Sequence, residues 1–525
     1  MLPMVFSRFA VFVAALALSA GMPNAAAQSG PSARSDPLPA PVLRALAEAQ
    51  LSAQALYAVA LPLAPGGGRA WGHQAEGAVQ PGSTMKLVTS VVALAQLGPN
   101  LRGFTELRSA APLQNGVLQG DLLLRGGADP ELGIAQFWLL LQELRQQGVM
   151  HITGDLVVDR HHWRPARFDQ GLAPFDEAPE FPYNVIPDAL QLAGNLLPIA
   201  ISSDAISSDA QGVRASTVPP LQGLEFTSRM VLNNDACRDW DDGWLTPQVR
   251  QDGPRTVLEL QGSFPQGCSM RAELQLIDRL ELADRLLRTL WQQMGGRWDG
   301  RAREATAAHD GRSDTRLLAR RQSRPWGEVL RVVNKSSDNA LTRMLYLNLG
   351  VPAMAAQPAA STAALADQAV RRWFREHQIP EQGLVLDNGS GLSRSERITP
   401  LQLARLLQVA YRARYAPDFV MSLPTVGVDG TMRNRIRDSP ATGWSRLKTG
   451  TLRNVAALAG YVYDPDGQPW AVAMIVNADN AARARPVLDV LVDHMARFGP
   501  VSWMHLQPAP PGLQYSGVGP GGDGP

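Results

Sequence analysis

Ser83 and Lys86 stand three residues apart at the head of a stretch whose apolar residues, Leu87, Val88, Val91, Val92, Leu94 and Leu97, recur with helical spacing until Gly98-Pro99. That spacing predicts an amphipathic helix that begins near Ser83 and stops at the Gly-Pro pair. Residues three apart share one face of a helix, so the serine hydroxyl and the lysine amine are within side-chain reach. The unpaired N–H groups of a helix start also favour a negative charge developing there. These are the parts of a serine nucleophile with a lysine base. Composition sharpens the assignment. Of 49 Lys+Arg residues only three are lysine: Lys86, Lys335 and Lys448. Arginine keeps its proton near neutrality, whereas lysine releases it once its surroundings lower its pKa. The three lysines are therefore the places to look for chemistry.

The elements that must position these residues fall into two textures. Residues 42–51 read as a helix and 55–63 as a strand turning at Gly66-Gly67-Gly68 into the Ser83 helix. From 101 to 277 short strands and turns dominate, with one helix at 136–147, which reads as a β-rich insertion of two small domains. Helical spacing resumes at 278–293. Segments 326–334 and 340–349 form a helix–loop–helix around Lys335-Ser336-Ser337-Asp338-Asn339. Helices follow at 363–377 and 400–413, with the turn-rich loop 386–393 between them. Strands at 445–451, 457–463 and 470–476 and a helix at 481–498 close the pattern. The Pro/Gly-rich tail, 505–525, is expected to be disordered.

A chain of 525 residues with 45% hydrophobic and 18% charged residues is an ordinary multidomain globular protein. Its net charge of +1 argues against a nucleic-acid binder or a polybasic membrane protein. Arg8, the apolar run Phe9 to Ala20 and Ala25-Ala26-Ala27 read as an export signal, 1–27, cleaved before Gln28, with an uncleaved anchor as the alternative. No other stretch reaches membrane-spanning length without charges. In an exported protein the isolated pair Cys237 and Cys268 is expected to form a disulfide. His161-His162 has no partner at metal-ligand spacing, and neither a metal nor a cofactor is called for.

Ser83-x-x-Lys86, Ser337-Asp338-Asn339 and Lys448-Thr449-Gly450-Thr451, in that order, match the three motifs of the penicillin-recognising serine enzymes. The long stretch between the first two resembles the class C low-molecular-mass penicillin-binding proteins, D-alanyl-D-alanine carboxypeptidases that also act as endopeptidases on peptidoglycan. Residues 126–130 (GGADP), 387–394 (DNGSGLSR) and 423–431 (LPTVGVDGT) resemble that family as well, and the likeness covers most of 40–500. The resemblance implies an α+β penicillin-binding-protein/β-lactamase-like fold, an antiparallel sheet packed with helices. Residues 28–100 and 278–504 would make the peptidase domain, and the insertion would project from it. It also implies a periplasmic enzyme that trims the terminal D-Ala of peptidoglycan stem peptides, cuts D-Ala–diaminoacid crosslinks and is blocked covalently by β-lactams.

The residues carry that chemistry in detail. Lys86 must lose about three pKa units, about 4 kcal/mol, to serve as a base, and burial and the nearby Lys448 both push that way. Neutral Lys86 would take the Ser83 proton as Ser83 attacks the D-Ala-D-Ala carbonyl, with the N–H groups of Ser83 and Thr451 holding the oxyanion. Ser337, hydrogen-bonded between the two lysines, would pass a proton to the leaving D-alanine, and Asn339 would orient the substrate amide. Lys448, Thr449 and Thr451 would bind the terminal carboxylate, and Gly450 would let the substrate backbone lie against the strand. Asp176, in Pro174-Phe175-Asp176-Glu177, falls where the family places an acid over the site. It would read the amine of a diaminoacid, with Glu177 as the alternative carboxylate. Asp338 and Ser390 read as loop-shaping residues, and Lys335 either as a surface lysine or as part of the site. A β-lactamase and a non-catalytic peptidoglycan-binding protein on the same fold remain as competing readings.

Overall fold

The computed structural model describes residues 36–64, 68–203, 212–306 and 314–500. The expected export signal, most of the Gly66–Gly68 turn and the 505–525 tail lie outside them.

Period-two alternation builds the central sheet from the two ends of the chain. Its five strands run Arg446–Leu452, Val455–Tyr463, Pro469–Asn477, Leu56–Pro62 and Trp71–His73, each pair antiparallel. Along Pro469–Asn477, Ala471 and Ala473 enter one core while Trp470, Val472, Met474 and Val476 enter another. Both faces of the sheet are therefore covered. Helices Ala40–Glu48 and Arg485–Phe498 pack on the second face. The first face carries the main helical layer, with Lys86–Leu97 at its centre and Trp326–Ser336, Asn339–Asn348, Thr362–Glu376 and Pro400–Arg412 around it.

The Lys86–Leu97 helix departs from the amphipathic expectation, since every residue from Lys86 to Leu94 is buried. Its polar members bond inside the protein instead of facing water. Thr89 Oγ1 donates to the Gly389 carbonyl at 2.7 Å, and Ser90 pairs with Asn334. Buried hydroxyls satisfied in this way cost little, so polar spacing does not mark a wet face here.

The insertion ends later than residue 277. The strand Arg316–Gln322 pairs antiparallel with Phe104–Ser109, and Ala302–Glu304 pairs parallel with Leu156–Asp159. The Arg279–Gln293 helix packs into the insertion as well, and one continuous cluster draws buried apolar residues from Leu107 at one end to Ala319 at the other. The sheets still sort into two groups, one around Leu122–Gly127 and one around Arg255–Pro265, but they share that core. The insertion is also not purely β: the helix Ile134–Gln146 crosses between the parallel strands Leu122–Gly127 and Leu156–Asp159. Entry and exit are zipped together. Gly103 N–H donates to Ser323 Oγ and Trp326 N–H to the Leu101 carbonyl, so the peptidase layer resumes beside the point where it stopped.

Cys237 and Cys268 are joined, 31 residues apart in sequence. The bridge ties the Cys237–Asp239 turn to the strand Ser269–Leu274 within the insertion. Closing a loop of that length in the unfolded chain stabilises by about 2–4 kcal/mol. Replacing both cysteines by serine should lower the unfolding free energy by about that amount in urea titrations. Acylation of the variant by penicillin should be unchanged, because no active-site contact runs through the bridge. A slower acylation would show that the insertion's rigidity reaches Ser83.

Candidate active site

Gly82–Met85 is a 3-10 turn that runs into the Lys86–Leu97 helix, so Ser83 lies in the turn and Lys86 opens the helix. Lys86 Nζ is 3.0 Å from Ser83 Oγ, 2.6 Å from Asn339 Oδ1 and 2.5 Å from the Ser390 carbonyl oxygen. A neutral amine has two N–H donors and one lone pair. Asn339 and Ser390 offer only acceptors and take both donors, which turns the lone pair to the Ser83 hydroxyl. The arrangement suits a base waiting for the serine proton.

Electrostatics agrees with that geometry. Lys86 has no exposed surface. Burial holds its pKa well below the ordinary lysine value, and the Lys448 cation lowers it further, against the opposing pull of Asp338 and Glu396. Burial alone brings Lys448 down to about 7. Both amines are thus held below the ordinary lysine range, Lys86 by burial and a neighbouring cation and Lys448 by burial.

Ser337 caps the Trp326–Ser336 helix in a left-handed conformation, and Asp338 caps the next helix by accepting from Leu341 N–H. Asp338 is therefore the loop-shaping residue its position suggested. Ser337 Oγ accepts from Lys448 Nζ at 2.8 Å. It does not bridge the two lysines as expected, because all three hydrogen-bond partners of Lys86 are other groups. Asn339 faces both ways: its oxygen takes Lys86, and its Nδ2 donates to the Tyr183 carbonyl in the insertion at 2.9 Å.

The strand Arg446–Leu452 is the edge of the central sheet beside the Ser83 turn. A Cβ on Gly450 would lie 2.6 Å from the Pro81 carbonyl oxygen and 3.2 Å from Ser83 N. Gly450 is thus needed for the strand to approach the nucleophile's own backbone, a different reason from the substrate contact expected of it. The same approach brings the Thr451 and Ser83 amides to one place, where a Cβ on Gly82 would be 3.3 Å from Thr451 N. Lys448 is fully buried and also donates to the Thr449 carbonyl. Thr451 is exposed, and the Thr449 hydroxyl meets that of Thr431 at 2.9 Å. The Thr451 side chain therefore stands exposed along the edge strand, while Lys448 is buried within it.

Lys335 is not a free surface lysine. It forms an ion pair with Asp429 at 2.5 Å, and Asp429 also accepts from Thr425 N–H. The pair fastens the segment that delivers Thr431 to Thr449. Asp176 stands outside the Ser83 cluster, accepting from Ala178 N–H, Asn184 Nδ2 and the Tyr183 hydroxyl. It is joined to the cluster through Tyr183 and Asn339, and among the described residues Glu177 takes no part in that network. Sequence reading missed Tyr183 and Glu396. Tyr183 acts through its carbonyl, which no side-chain pattern reports. Glu396 is a buried glutamate in a polar run, where the ordinary expectation is exposure.

A helix-flanked antiparallel sheet, with serine, lysine and a Lys-Thr-Gly edge strand at its margin, defines a penicillin-binding-protein/β-lactamase-like fold. The crystal structure of penicillin-binding protein 4 from Haemophilus influenzae superposes with a TM-score of 0.69 at 21% identity, covering 87% of this chain and 99% of that one. The chain belongs to the D-Ala-D-Ala carboxypeptidase 3 (S13) family, whose model matches residues 42–497. Among curated relatives, the D-alanyl-D-alanine carboxypeptidase of Actinomadura sp. strain R39 is 28% identical over 426 residues, 80% of this chain and 77% of the relative. The D-alanyl-D-alanine carboxypeptidase DacB of Haemophilus influenzae is 25% identical over 408 residues, 75% of this chain and 80% of the relative.

The two lysines set a pH dependence. If Lys86 is the base for Ser83, the rate of acylation should rise with pH through that group's lowered pKa. If Lys448 receives a carboxylate as a cation, the rate should fall above about 7, where burial has brought its pKa. The second-order rate of acylation by benzylpenicillin, measured against pH, should be bell-shaped, and Lys448→Arg should remove the alkaline limb. A rate flat from pH 7 to 9 in the unaltered protein would contradict this (the range brackets the value for Lys448).

Proposed function

We propose that the protein is an exported serine D,D-peptidase that removes the terminal D-Ala of peptidoglycan stem peptides through a Ser83 acyl-enzyme. The observation that carries this reading is the Lys86 amine, dry and aimed at Ser83 by two fixed acceptors. Ser83 Oγ attacks the carbonyl carbon of the penultimate D-Ala as its proton passes to Lys86 Nζ. The oxyanion forms against the Ser83 and Thr451 amides. Ser337, which accepts from Lys448, keeps its own O–H for the leaving nitrogen, and Lys448 stands behind it as a proton source. Water carries the proton held on Lys86 back to the Ser337–Lys448 pair, and neutral Lys86 then takes a proton from the water that attacks and releases the acyl group. The periplasm is the compartment that fits an exported chain with a disulfide and this substrate. Among the described residues no helix is long and apolar enough to cross a membrane.

A fluorescent penicillin tests the core of the proposal. Ser83→Ala should abolish covalent labelling with the fold intact, and Lys86→Arg, which keeps the charge but cannot deprotonate, should slow it by several orders of magnitude. Labelling by Ser83→Ala would place the nucleophile elsewhere. A long-lived adduct fits a carboxypeptidase, rapid turnover of the penicillin a β-lactamase, and no adduct at all a binding protein.

Crosslink cleavage is the finer part of the reading. Cutting a D-Ala–diaminoacid bond requires a place for an ammonium and a carboxylate, since neither is buried unpaired without a cost of several kcal/mol. The loop that carries Asp176 supports such a place: Arg394 lies over the Phe175 ring at 4.8 Å and donates to the Phe175 carbonyl, so both charges border one segment. Asp176→Ala should weaken hydrolysis of a diaminopimelate-containing peptide tenfold or more, about 1.4 kcal/mol upward. A substrate lacking that amine should be cut nearly as before. Equal losses on both would remove Asp176 from the substrate's path.

A further inference from the structure

Glu396 has no exposed surface, and its carboxylate is filled by backbone donors. One oxygen accepts from the N–H groups of Asp387, Asn388 and Gly389, at 3.3, 3.1 and 2.7 Å, and the other accepts from Gly391 N–H at 2.9 Å. Its own amide donates to Ser393 Oγ. All the bonds to the carboxyl group come from donors, which suits the acceptor-only ionised form, whereas a protonated carboxyl would set an O–H against N–H groups. Burial pushes the group up from the ordinary glutamate range, and those amides oppose the push.

The segment wrapped around Glu396 is the one that touches the catalytic groups. The Gly389 carbonyl accepts from Thr89 Oγ1 at 2.7 Å, and the Ser390 carbonyl accepts from Lys86 Nζ at 2.5 Å. Gly391 presses on the Ser83 turn so closely that a Cβ there would lie 1.9 Å from the Gly82 carbonyl oxygen. A five-residue turn with two glycines at positive φ, Gly389 and Gly391, has no regular ladder of its own to hold that shape. Bonds to a buried side chain replace the ladder.

We propose that Glu396 is a positioning residue for the acylation step: by gathering the amides of residues 387–391 it holds the Ser390 carbonyl on Lys86, which fixes the direction of the lysine lone pair toward Ser83. The proposal rests on the Ser83 acyl-enzyme reading. Glu396 touches neither substrate nor Ser83 and acts through the turn. A second effect accompanies the first, because the Glu396 charge is one of those that raise the pKa of Lys86 against its burial.

Glu396→Gln keeps the size of the side chain but turns an N–H₂ group toward at least one backbone donor and removes the charge. Stopped-flow acylation by benzylpenicillin, resolved into the dissociation constant of the initial complex and the acylation rate constant, reads the consequence. The acylation rate constant should fall tenfold or more while initial binding changes less than threefold, and the acid limb of its pH profile should move to lower pH, since a negative charge near Lys86 is gone. Purely structural damage would weaken binding and rate together and leave the profile in place. That result, or an unchanged rate constant, overturns the proposal. Should the glutamine variant not fold, Thr89→Val decides, because it removes only the second tether of the same turn with an isosteric side chain. A threefold or greater loss in the acylation rate constant at unchanged binding supports the positioning role, and no loss overturns it. Mass spectrometry of the slowly formed adduct separates this question from the one before it: an adduct still on Ser83 leaves the nucleophile standing whatever becomes of Glu396, and an adduct elsewhere in the unaltered protein fails the acyl-enzyme reading itself.

Discussion

Burying the Lys86 amine against a hydroxyl, a side-chain amide and a main-chain carbonyl disfavours its ammonium form, and much of the surrounding structure serves to keep those three partners in place. Each partner comes from a different part of the chain. Ser83 comes from the turn before the helix, Asn339 from the start of a helix that follows the insertion, and Ser390 from a turn further on. Their agreement in space is a property of the whole helical layer and cannot be built locally. The hydrophobic cluster that joins Val88, Val91 and Val92 to Leu330, Val333, Met344 and Leu345 is what brings the three together. Lys86 sits at the end of that cluster and is dry because the cluster is.

The edge strand completes the site from the other side, and its demands oppose those of the helix. In the proposed reaction Lys448 would stay charged to face a carboxylate, yet it is as deeply buried as Lys86. The difference lies in partners. Lys86 is met by the lone pairs of two acceptors that suit a neutral amine as well as a charged one. Lys448 is met by Ser337 Oγ and by the carbonyl of its own neighbour, on a strand whose Thr451 is exposed. A carboxylate arriving there would restore the charge that burial disfavours.

The sequence carried the chemical centre plainly and the frame only in part. Ser83, Lys86, Ser337, Asn339 and Lys448 were legible because their side chains have chemistry of their own and fall at spacings that a helix start, a helix–loop–helix and an edge strand impose. The central strands were legible from alternation, and the disulfide from the lone pair of cysteines. The end of the insertion was not: the apolar stripe of Arg279–Gln293 looks the same whichever core it packs on, and the short strands 302–304 and 316–322 declare their sheet only through partners 146 to 218 residues earlier. Lys335 was ambiguous because an ion pair with Asp429 has no sequence signal. Glu396 and Tyr183 were invisible for a common reason. The bonds that tie them to the Lys86 site run to main-chain groups, the amides of residues 387–389 and 391 for Glu396 and the Tyr183 carbonyl for Asn339, and main-chain groups carry no residue identity.

The bond from Asn339 to the Tyr183 carbonyl makes the insertion more than an appendage, because a displacement of its loop would pull on an acceptor of Lys86. A long loop of that kind would ordinarily wander. This one is pinned at both roots. On one side the Arg164 amide donates to Thr362 Oγ1 and its carbonyl accepts from Thr362 N–H, which fixes the loop to the peptidase helices. On the other, the fully buried Asp188 accepts from Arg279 at 2.6 Å and pairs with Arg160 at 3.1 Å, which fixes it to the insertion. Two buried arginines on one carboxylate are stabilising only while the geometry is kept, and removing the carboxylate would leave Arg160 with Glu304 and Arg279 with Asp169 alone. The segment that carries Asp176 is therefore referenced to both halves of the molecule at once. If Asp176 reads a substrate side chain as proposed, that recognition and the setting of Lys86 depend on the same anchored loop, so a change that loosens the loop should be felt in both.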